Sequence, residues 1–235
     1  MESSSFFKAE IVSITCLNEY VKLFLLKPSK PISYLSGQFI IIDFETINHT
    51  YTTRSYSISD LRSDQLIEIC VVLKPDGAAT PQLFSKKEGD SLKISSAQGR
   101  FILPEPIAEN PICFICTGTG VAPFRTMIKD LLINKNFKNK IDLFFGGRNQ
   151  ADLLFKDEFE TLSQTYPNFQ YYPCLSREKW DHLNGYVHEH YLTHYNHKPE
   201  ALFYICGWTK MVKEARDHLK ELGYTRKEIK IELYD

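Results

Sequence analysis

The sequence predicts two domains in series: a closed antiparallel β-barrel over residues 1–106, then an α/β domain built on a parallel sheet over residues 107–235. Three observations predict it. Short β-branched and aromatic runs at near-regular spacing occupy the chain as far as Pro106. Beyond that point strand-like runs alternate with helical periodicity. Pro104, Pro106 and Pro111 cluster where the character changes. The 235 residues suit two domains of about 100–120 residues each.

In the first half the strand runs are 8–15, 21–27, 38–44, 55–59, 66–73 and 91–95. Lys27-Pro28, Ser36-Gly37, Asp76-Gly77 and Glu88-Gly89-Asp90 separate them as turns. Closing such short strands into a barrel removes their exposed edges.

In the second half 112–116, 141–145, 169–175, 201–206 and 229–233 read as strands. Helical periodicity covers 124–132, 155–162 and 211–222, so helices cover both faces of a parallel sheet. The first of these strands, Ile112-Cys113-Phe114-Ile115-Cys116, is apolar throughout, as burial on both faces requires. It feeds Thr117-Gly118-Thr119-Gly120, whose glycines permit a tight turn and close approach to the backbone. Pro123 stands where the first helical residue is expected. Phe124, Met127, Ile128, Leu131 and Leu132 form the buried stripe, and Arg125, Lys129 and Asp130 face away.

Strand, glycine turn and helix N-terminus together make an anion site, most often for phosphate. A tight turn that binds nothing is the bland alternative. The usual dinucleotide fingerprint needs a third glycine where Pro123 stands. It also needs an acidic residue after the next strand, which instead ends in Gly146-Gly147-Arg148.

A formal net charge of −1 excludes a global field for nucleic acid. The start, MESSSFFKAE, has an acidic second residue and no apolar core, unlike a secretory signal. No apolar run approaches the roughly 20 residues of a membrane span. The expected compartment is the cytoplasm. Of the cysteines, Cys113 and Cys116 are spaced like a redox or zinc pair. Residues three apart on a strand point to opposite faces and no second pair follows, so no metal is expected there. No four-cysteine spacing suggests an iron–sulfur cluster. His182, His188, His190, His194 and His197 crowd one segment, which reads as a solvated helix surface without a third metal ligand.

The string Thr117-Gly118-Thr119-Gly120-Val121-Ala122-Pro123-Phe124 resembles the nicotinamide-side loop of the plant-type ferredoxin/flavodoxin–NADP reductase superfamily. Other stretches resemble that family's motifs in its own order, and the likeness runs from Arg54 to Tyr234. Arg54-Ser55-Tyr56-Ser57 is similar to its Arg-x-Tyr-Ser flavin motif. The likeness implies Arg54 on the flavin pyrophosphate, Tyr56 stacked on the ring and Ser57 near its reactive nitrogen. Strand alternation places Arg54 and Tyr56 on one face and Ser55 and Ser57 on the other. Gly77-Ala78-Ala79-Thr80 looks like the second flavin segment, a helix start with Thr80 as a suitable N-cap. Ala97-Gln98-Gly99-Arg100-Phe101 resembles the segment that closes the flavin domain. Asp60 departs from the hydroxyl residue many FAD-binding members carry.

On the nucleotide side, Cys206-Gly207-Trp208-Thr209-Lys210-Met211 resembles the family's Cys-Gly-x-x-x-Met segment, which sets a thiol beside the nicotinamide. Ser176-Arg177 resembles the pair that reads the NADP 2′-phosphate, though Glu178 and Asp181 lie near. Glu232 and Tyr234 are similar to the terminal Glu-x-Tyr, which implies a carboxylate near the reacting centre and a ring over the flavin. Asp235 is an extra residue beyond that pattern. The resemblance thus implies FAD and NADP (or NAD) as cofactors and hydride transfer between nicotinamide and flavin. Ser57, Cys206, Glu232 and Tyr234 would be catalytic, and Thr117, Gly118, Gly120, Pro123, Gly77, Ala79 and Gly207 would bind cofactor. The implied acceptor is ferredoxin, flavodoxin or another molecule. The alternatives are a reductase of free flavin or ferric chelates, and a flavin-binding electron-transfer subunit.

Overall fold

A computed structural model describes residues 6–45, 51–107 and 109–234. Contacts divide the chain into two compact units, Met1–Leu103 with Ala122–Asp130, and Pro104–Val121 with Leu131–Asp235.

In the first unit β1 (Phe7–Asn18), β2 (Val21–Pro28), β3 (Phe39–Glu45), β4 (Tyr51–Ser57), β5 (Ile67–Val72) and β6 (Ser91–Ile94) form one antiparallel sheet. Its order is β4-β3-β6-β1-β2-β5. The two outer strands meet through an antiparallel bridge between Ile58 and Ile69, so the sheet closes into the expected barrel. Alternating residues point inward: Ile40, Ile42, Ile67, Ile69, Phe24 and Leu26 are buried together. β4 begins four residues earlier than the strand pattern suggested, because Tyr51–Ser57 pairs with the whole length of β3. A short helix, α1 (Thr80–Phe84), follows β5.

In the second unit β7 (Ile112–Thr117), β8 (Ile141–Gly147), β9 (Phe169–Leu175), β10 (Leu183–Asn184), β11 (Leu202–Trp208) and β12 (Ile229–Tyr234) form a parallel sheet. The order is β10-β9-β8-β7-β11-β12. From β7 the chain steps outward through β8 and β9, then returns to β7's other side for β11. The switch point, where such sheets bind ligands, is therefore the C-terminal end of β7 and β11. α3 (Lys156–Thr165), α4 (Val187–Tyr195) and α5 (Thr209–Glu221) belong to this unit.

Three sequence expectations need correction. The helix after the glycine turn, α2 (Val121–Lys129), starts before Pro123 and ends in a widened turn over Asp130–Asn134. Pro123 still sits in the first turn, where backbone N–H groups lack helical partners, so its ring disturbs nothing. The face of α2 expected to be solvated is not: Arg125 is 9% exposed and pairs with the barrel carboxylate of Glu68. The histidine-rich segment does form a helix, α4, but Val187, Tyr191 and Tyr195 are buried. There His188 meets the Tyr191 hydroxyl at 3.0 Å, and His194 Nε2 lies 3.4 Å from buried Asp142. Aromatic residues on an otherwise polar helix concealed that buried stripe.

Candidate functional site

β4 carries the first set of candidate residues. Arg54 and Ser55 are exposed, Tyr56 is half-buried and Ser57 is buried. The guanidinium of Arg54 donates to Thr52 Oγ1 at 2.8 Å and to the Thr53 carbonyl at 2.7 Å, which lays it along its own strand. Tyr56 packs edge-on to Phe44, with ring centroids 6.4 Å apart. Its hydroxyl is buried without a hydrogen-bond partner, and burial pushes its pKa up to about 12. An unsatisfied buried hydroxyl costs about 1–3 kcal/mol. A bound polar ligand would remove that cost.

The Gly77–Thr80 stretch departs from expectation in one respect. Ala79, 2% exposed, is the N-cap of α1, and Thr80 is its first helical residue. The Thr80 hydroxyl accepts from Lys74 N–H at 2.9 Å and donates to the Lys74 carbonyl at 3.1 Å. It locks the turn that holds Gly77 and does not cap the helix.

Asp60 has its own explanation. It is 8% exposed, its Oδ1 lies 2.5 Å from Lys129 Nζ, and Arg62 and Arg125 stand 3.8 Å from its carboxylate. Arg125 also donates to the Ser59 carbonyl at 3.0 Å and to Glu68 at 2.8 Å, while Ser59 Oγ donates to Glu68 at 2.8 Å. Asp60 thus serves a buried ion cluster tying α2 to the segment just beyond Ser57. Sequence reasoning missed this cluster. Its only signal was Arg125 and Lys129 at one-turn spacing on the polar stripe of α2.

In the second unit the candidates converge on the switch point. Gly118–Gly120 forms a single tight helical turn between β7 and α2. A Cβ on Gly207, where φ is +140°, would fall 2.6 Å from Thr117 Oγ1. That Thr117 oxygen is buried and has no hydrogen-bond partner. Cys206 is fully buried, next to Cys116 on β7 and Glu232 on β12. Burial pushes its thiol well up, Glu232 and Cys116 add to this, and the Gly207 N–H and a hydrogen bond from Tyr234 pull back. The thiol is therefore neutral at physiological pH, suited to contact and unsuited to attack. Tyr234 lies beside Trp208 in the register of β11 and β12. Asp235 lies outside the described residues.

Ser176 and Arg177 follow β9 and run against the loop after β8. Ser176 N–H donates to the Gly147 carbonyl at 3.0 Å, and Arg177 N–H to that of Arg148 at 2.9 Å. Arg177 is exposed. Glu178, which from sequence looked like a competitor for it, instead accepts from Gln150 N at 2.9 Å and Gln150 Nε2 at 2.7 Å.

Residues 8–102 match the family described as the oxidoreductase FAD-binding domain, and residues 114–217 match the oxidoreductase NAD-binding domain. The chain belongs to the oxidoreductases that pair these FAD-binding and NAD-binding domains. This reductase-like chain is 30% identical to the phenol hydroxylase P5 protein of Acinetobacter pittii, over 97% of its own length and 65% of the relative's. It is 29% identical to the reductase component of phenol 2-monooxygenase from a Pseudomonas species, over 89% of this chain and 60% of the relative. It therefore spans under two thirds of these relatives. Among solved structures, a ferredoxin NADP+ reductase from Neisseria gonorrhoeae with bound FAD and NADP superposes with a TM-score of 0.85 at 23% identity, covering 99% of both chains. Amycolatopsis cytochrome P450 reductase GcoB gives 0.88 at 22% identity, covering 97% of this chain and 69% of that one. The chain has one FAD-binding and one NAD-binding domain, and among the described residues no helix is long and apolar enough to cross a membrane.

Proposed function

We propose that this chain takes hydride from NAD(P)H onto FAD and passes the electrons to a second acceptor: ferredoxin, flavodoxin or another protein or small molecule. The observation that carries the reading is the close approach of strand ends at the switch point. A Cβ on Gly120 would meet the Cys206 carbonyl and one on Gly207 the Thr117 hydroxyl, and that buried Thr117 oxygen has no hydrogen-bond partner until a ligand supplies one. Bound FAD and nicotinamide supply the redox chemistry. The protein's part is to bind, orient and exclude.

In this reading Cys206 positions the nicotinamide by packing, with Thr117, Gly118, Gly120, Pro123 and Gly207 shaping its seat. Glu232, paired with Cys206 in the register of the sheet, would set a carboxylate near the thiol, and Tyr234 would help hold the flavin ring and give way to nicotinamide. Arg54, Ser55, Tyr56 and Ser57 hold the flavin, the orphaned Tyr56 hydroxyl gaining a partner from it. Gly77, Ala79 and Thr80 shape the turn against its pyrophosphate. Ser176 and Arg177 read the 2′-phosphate. Glu178, engaged by Gln150, does not compete for the exposed Arg177, which favours NADPH over NADH. The working division is an FAD-binding domain over 1–106 and an NAD(P)-binding domain over 107–235. Six unpaired cysteines suit the reducing cytoplasm.

The test is anaerobic mixing. The purified protein should be yellow and should bleach with NADPH, and more slowly with NADH. A yellow protein that neither nucleotide bleaches overturns the reading.

A further inference from the structure

β12 ends the parallel sheet: it pairs with β11, and among the described residues no strand covers its outer edge. One bond fixes which way its backbone groups point. Phe203 N–H donates to the Glu228 carbonyl at 2.8 Å, so Glu228 turns its polar groups toward β11. Successive residues of a strand turn theirs to opposite sides. Lys230 and Glu232 therefore bond to β11, whereas Ile229, Ile231 and Leu233 present N–H and C=O at the open edge.

Side chains alternate across the sheet in the same rhythm. Ile229, Ile231 and Leu233 share the face of Phe203 and Ile205, with which they are level or adjacent in register. Ile229 is buried there with Met211, Val212 and Ala215 of α5. Ile231 and Leu233 are 37% and 45% exposed, so the apolar row runs on past what its own chain covers. On the other face Lys230 is exposed and Glu232 half-buried.

An open edge of this kind is a template for another strand, and a lysine on it commonly blocks the pairing. Here the residue order removes that block. About a twofold axis at Ile231, a second β12 running antiparallel sets Lys230 opposite Glu232, Ile229 opposite Leu233 and Ile231 opposite itself. Moving the axis to Lys230 or to Glu232 sets like charges opposite one another. In the Ile231 register the edge-facing residues fall at hydrogen-bonded pairs. Lys230 and Glu232 fall at the non-hydrogen-bonded pairs, where cross-strand side chains come closest.

We propose that the β12 edge is the docking surface for a second copy of this chain, joined antiparallel about Ile231. The contact is isologous, so each copy gives its Lys230 to the other's Glu232. It satisfies the edge N–H and C=O groups and covers Ile231 and Leu233. One strand pair is a small interface, so the dimer should be of about micromolar strength and reversible on dilution.

The test is sedimentation equilibrium of the full chain over a dilution series from sub-micromolar to hundreds of micromolar. The parent should pass from monomer to dimer. Lys230→Glu sets carboxylates against each other and should weaken the dimer about 10- to 100-fold. Glu232→Lys should do the same with ammonium groups. Mixed in equal amounts, these two variants should associate, because each supplies the charge the other lacks. Ile231→Pro removes an N–H that points away from β11, so it should give a monomer with an unchanged circular dichroism spectrum. If Glu232→Lys fails to fold, Lys230→Glu and Ile231→Pro decide the matter between them. A parent that stays monomeric throughout overturns the proposal. A dimer that survives Lys230→Glu or Ile231→Pro also overturns it, because the contact then lies on another surface. Folded charge variants that stay apart when mixed overturn the register and the proposal with it.

Discussion

A Cβ on Gly120 would stand 2.5 Å from the carbonyl oxygen of Cys206 and 2.7 Å from the Cα of Gly207. The C-terminal ends of β7 and β11 are pinched so closely that the turn between β7 and α2 has no room for a side chain there. The obstacle is backbone on a central strand, which cannot swing aside as a flexible side chain can. The pinch is what brings the Thr117 hydroxyl, the Cys206 carbonyl and the two glycines to one spot.

Gly120→Ala should therefore force the strand ends apart. Overpacking of this kind costs about 1–3 kcal/mol. The expected outcome is a lower melting temperature by calorimetry together with weakened dinucleotide affinity. A variant that melts with the parent and binds nucleotide equally well would show that the strand ends yield freely.

Arg125 and Glu68, with side chains 10% and 13% exposed, form a buried ion pair 2.8 Å apart. Removing one partner leaves a buried charge uncompensated, which typically costs about 3–5 kcal/mol. Arg125→Met or Glu68→Gln alone should be strongly destabilised in urea, and the double variant less so than the sum. Strict additivity of the two would mean that the charges do not interact.

Cys206 should behave as a packing group with a protonated thiol. In the folded protein it should resist iodoacetamide at neutral pH, since burial and Glu232 disfavour the thiolate. Cys206→Ala should slow flavin reduction by up to about 100-fold, the scale of a small misplacement of reacting atoms, with dinucleotide affinity little changed. Stopped-flow reduction at the parent rate would make the residue core packing alone.

His188 and His194 both have pKa values lowered chiefly by burial. His218 lowers His188 further, with Glu214 and Glu189 opposing; for His194, Asp142 opposes and Lys140 adds to the lowering. A histidine whose folded pKa is depressed is held neutral by the fold. The stability linked to it is present above the ordinary value of about 6.5 and is lost as pH falls through the folded pKa. Melting temperature should accordingly drop between pH 7 and pH 5, and less in a His188→Gln/His194→Gln variant. An equal drop in both proteins would place the acid sensitivity elsewhere.

The order of strands and helices, the barrel followed by a parallel sheet and the glycine turn at its head could all be read from sequence. Each rests on short-range physics. Period-two runs with turn residues between them define β1 to β6. A five-residue all-apolar run such as Ile112–Cys116, bounded by Pro111 and a glycine turn, reads as a strand buried on both faces, and two glycines before a proline mark a chain that turns sharply into a helix. The motif residues from Arg54 to Tyr234 were singled out by their resemblance to ordered motifs, and their roles belong to the proposed function.

Tertiary structure alone decided the fate of the charges and the reach of the loops. On a helical wheel Arg125 and Lys129 look like any solvated stripe, and only barrel residues far away in sequence, Ser59, Asp60 and Glu68, turn that stripe inward. Asp60 read as a departure from a flavin pattern until those cations surrounded it. His194 is exposed as read, and its Nε2 also faces buried Asp142, on a strand more than fifty residues earlier. Arg148 read as the residue that replaces an acid, and sheet register then set it between Arg177 and Trp208. Periodicity reports which side of an element is apolar, whereas a buried charge is stable only through partners that local sequence does not contain.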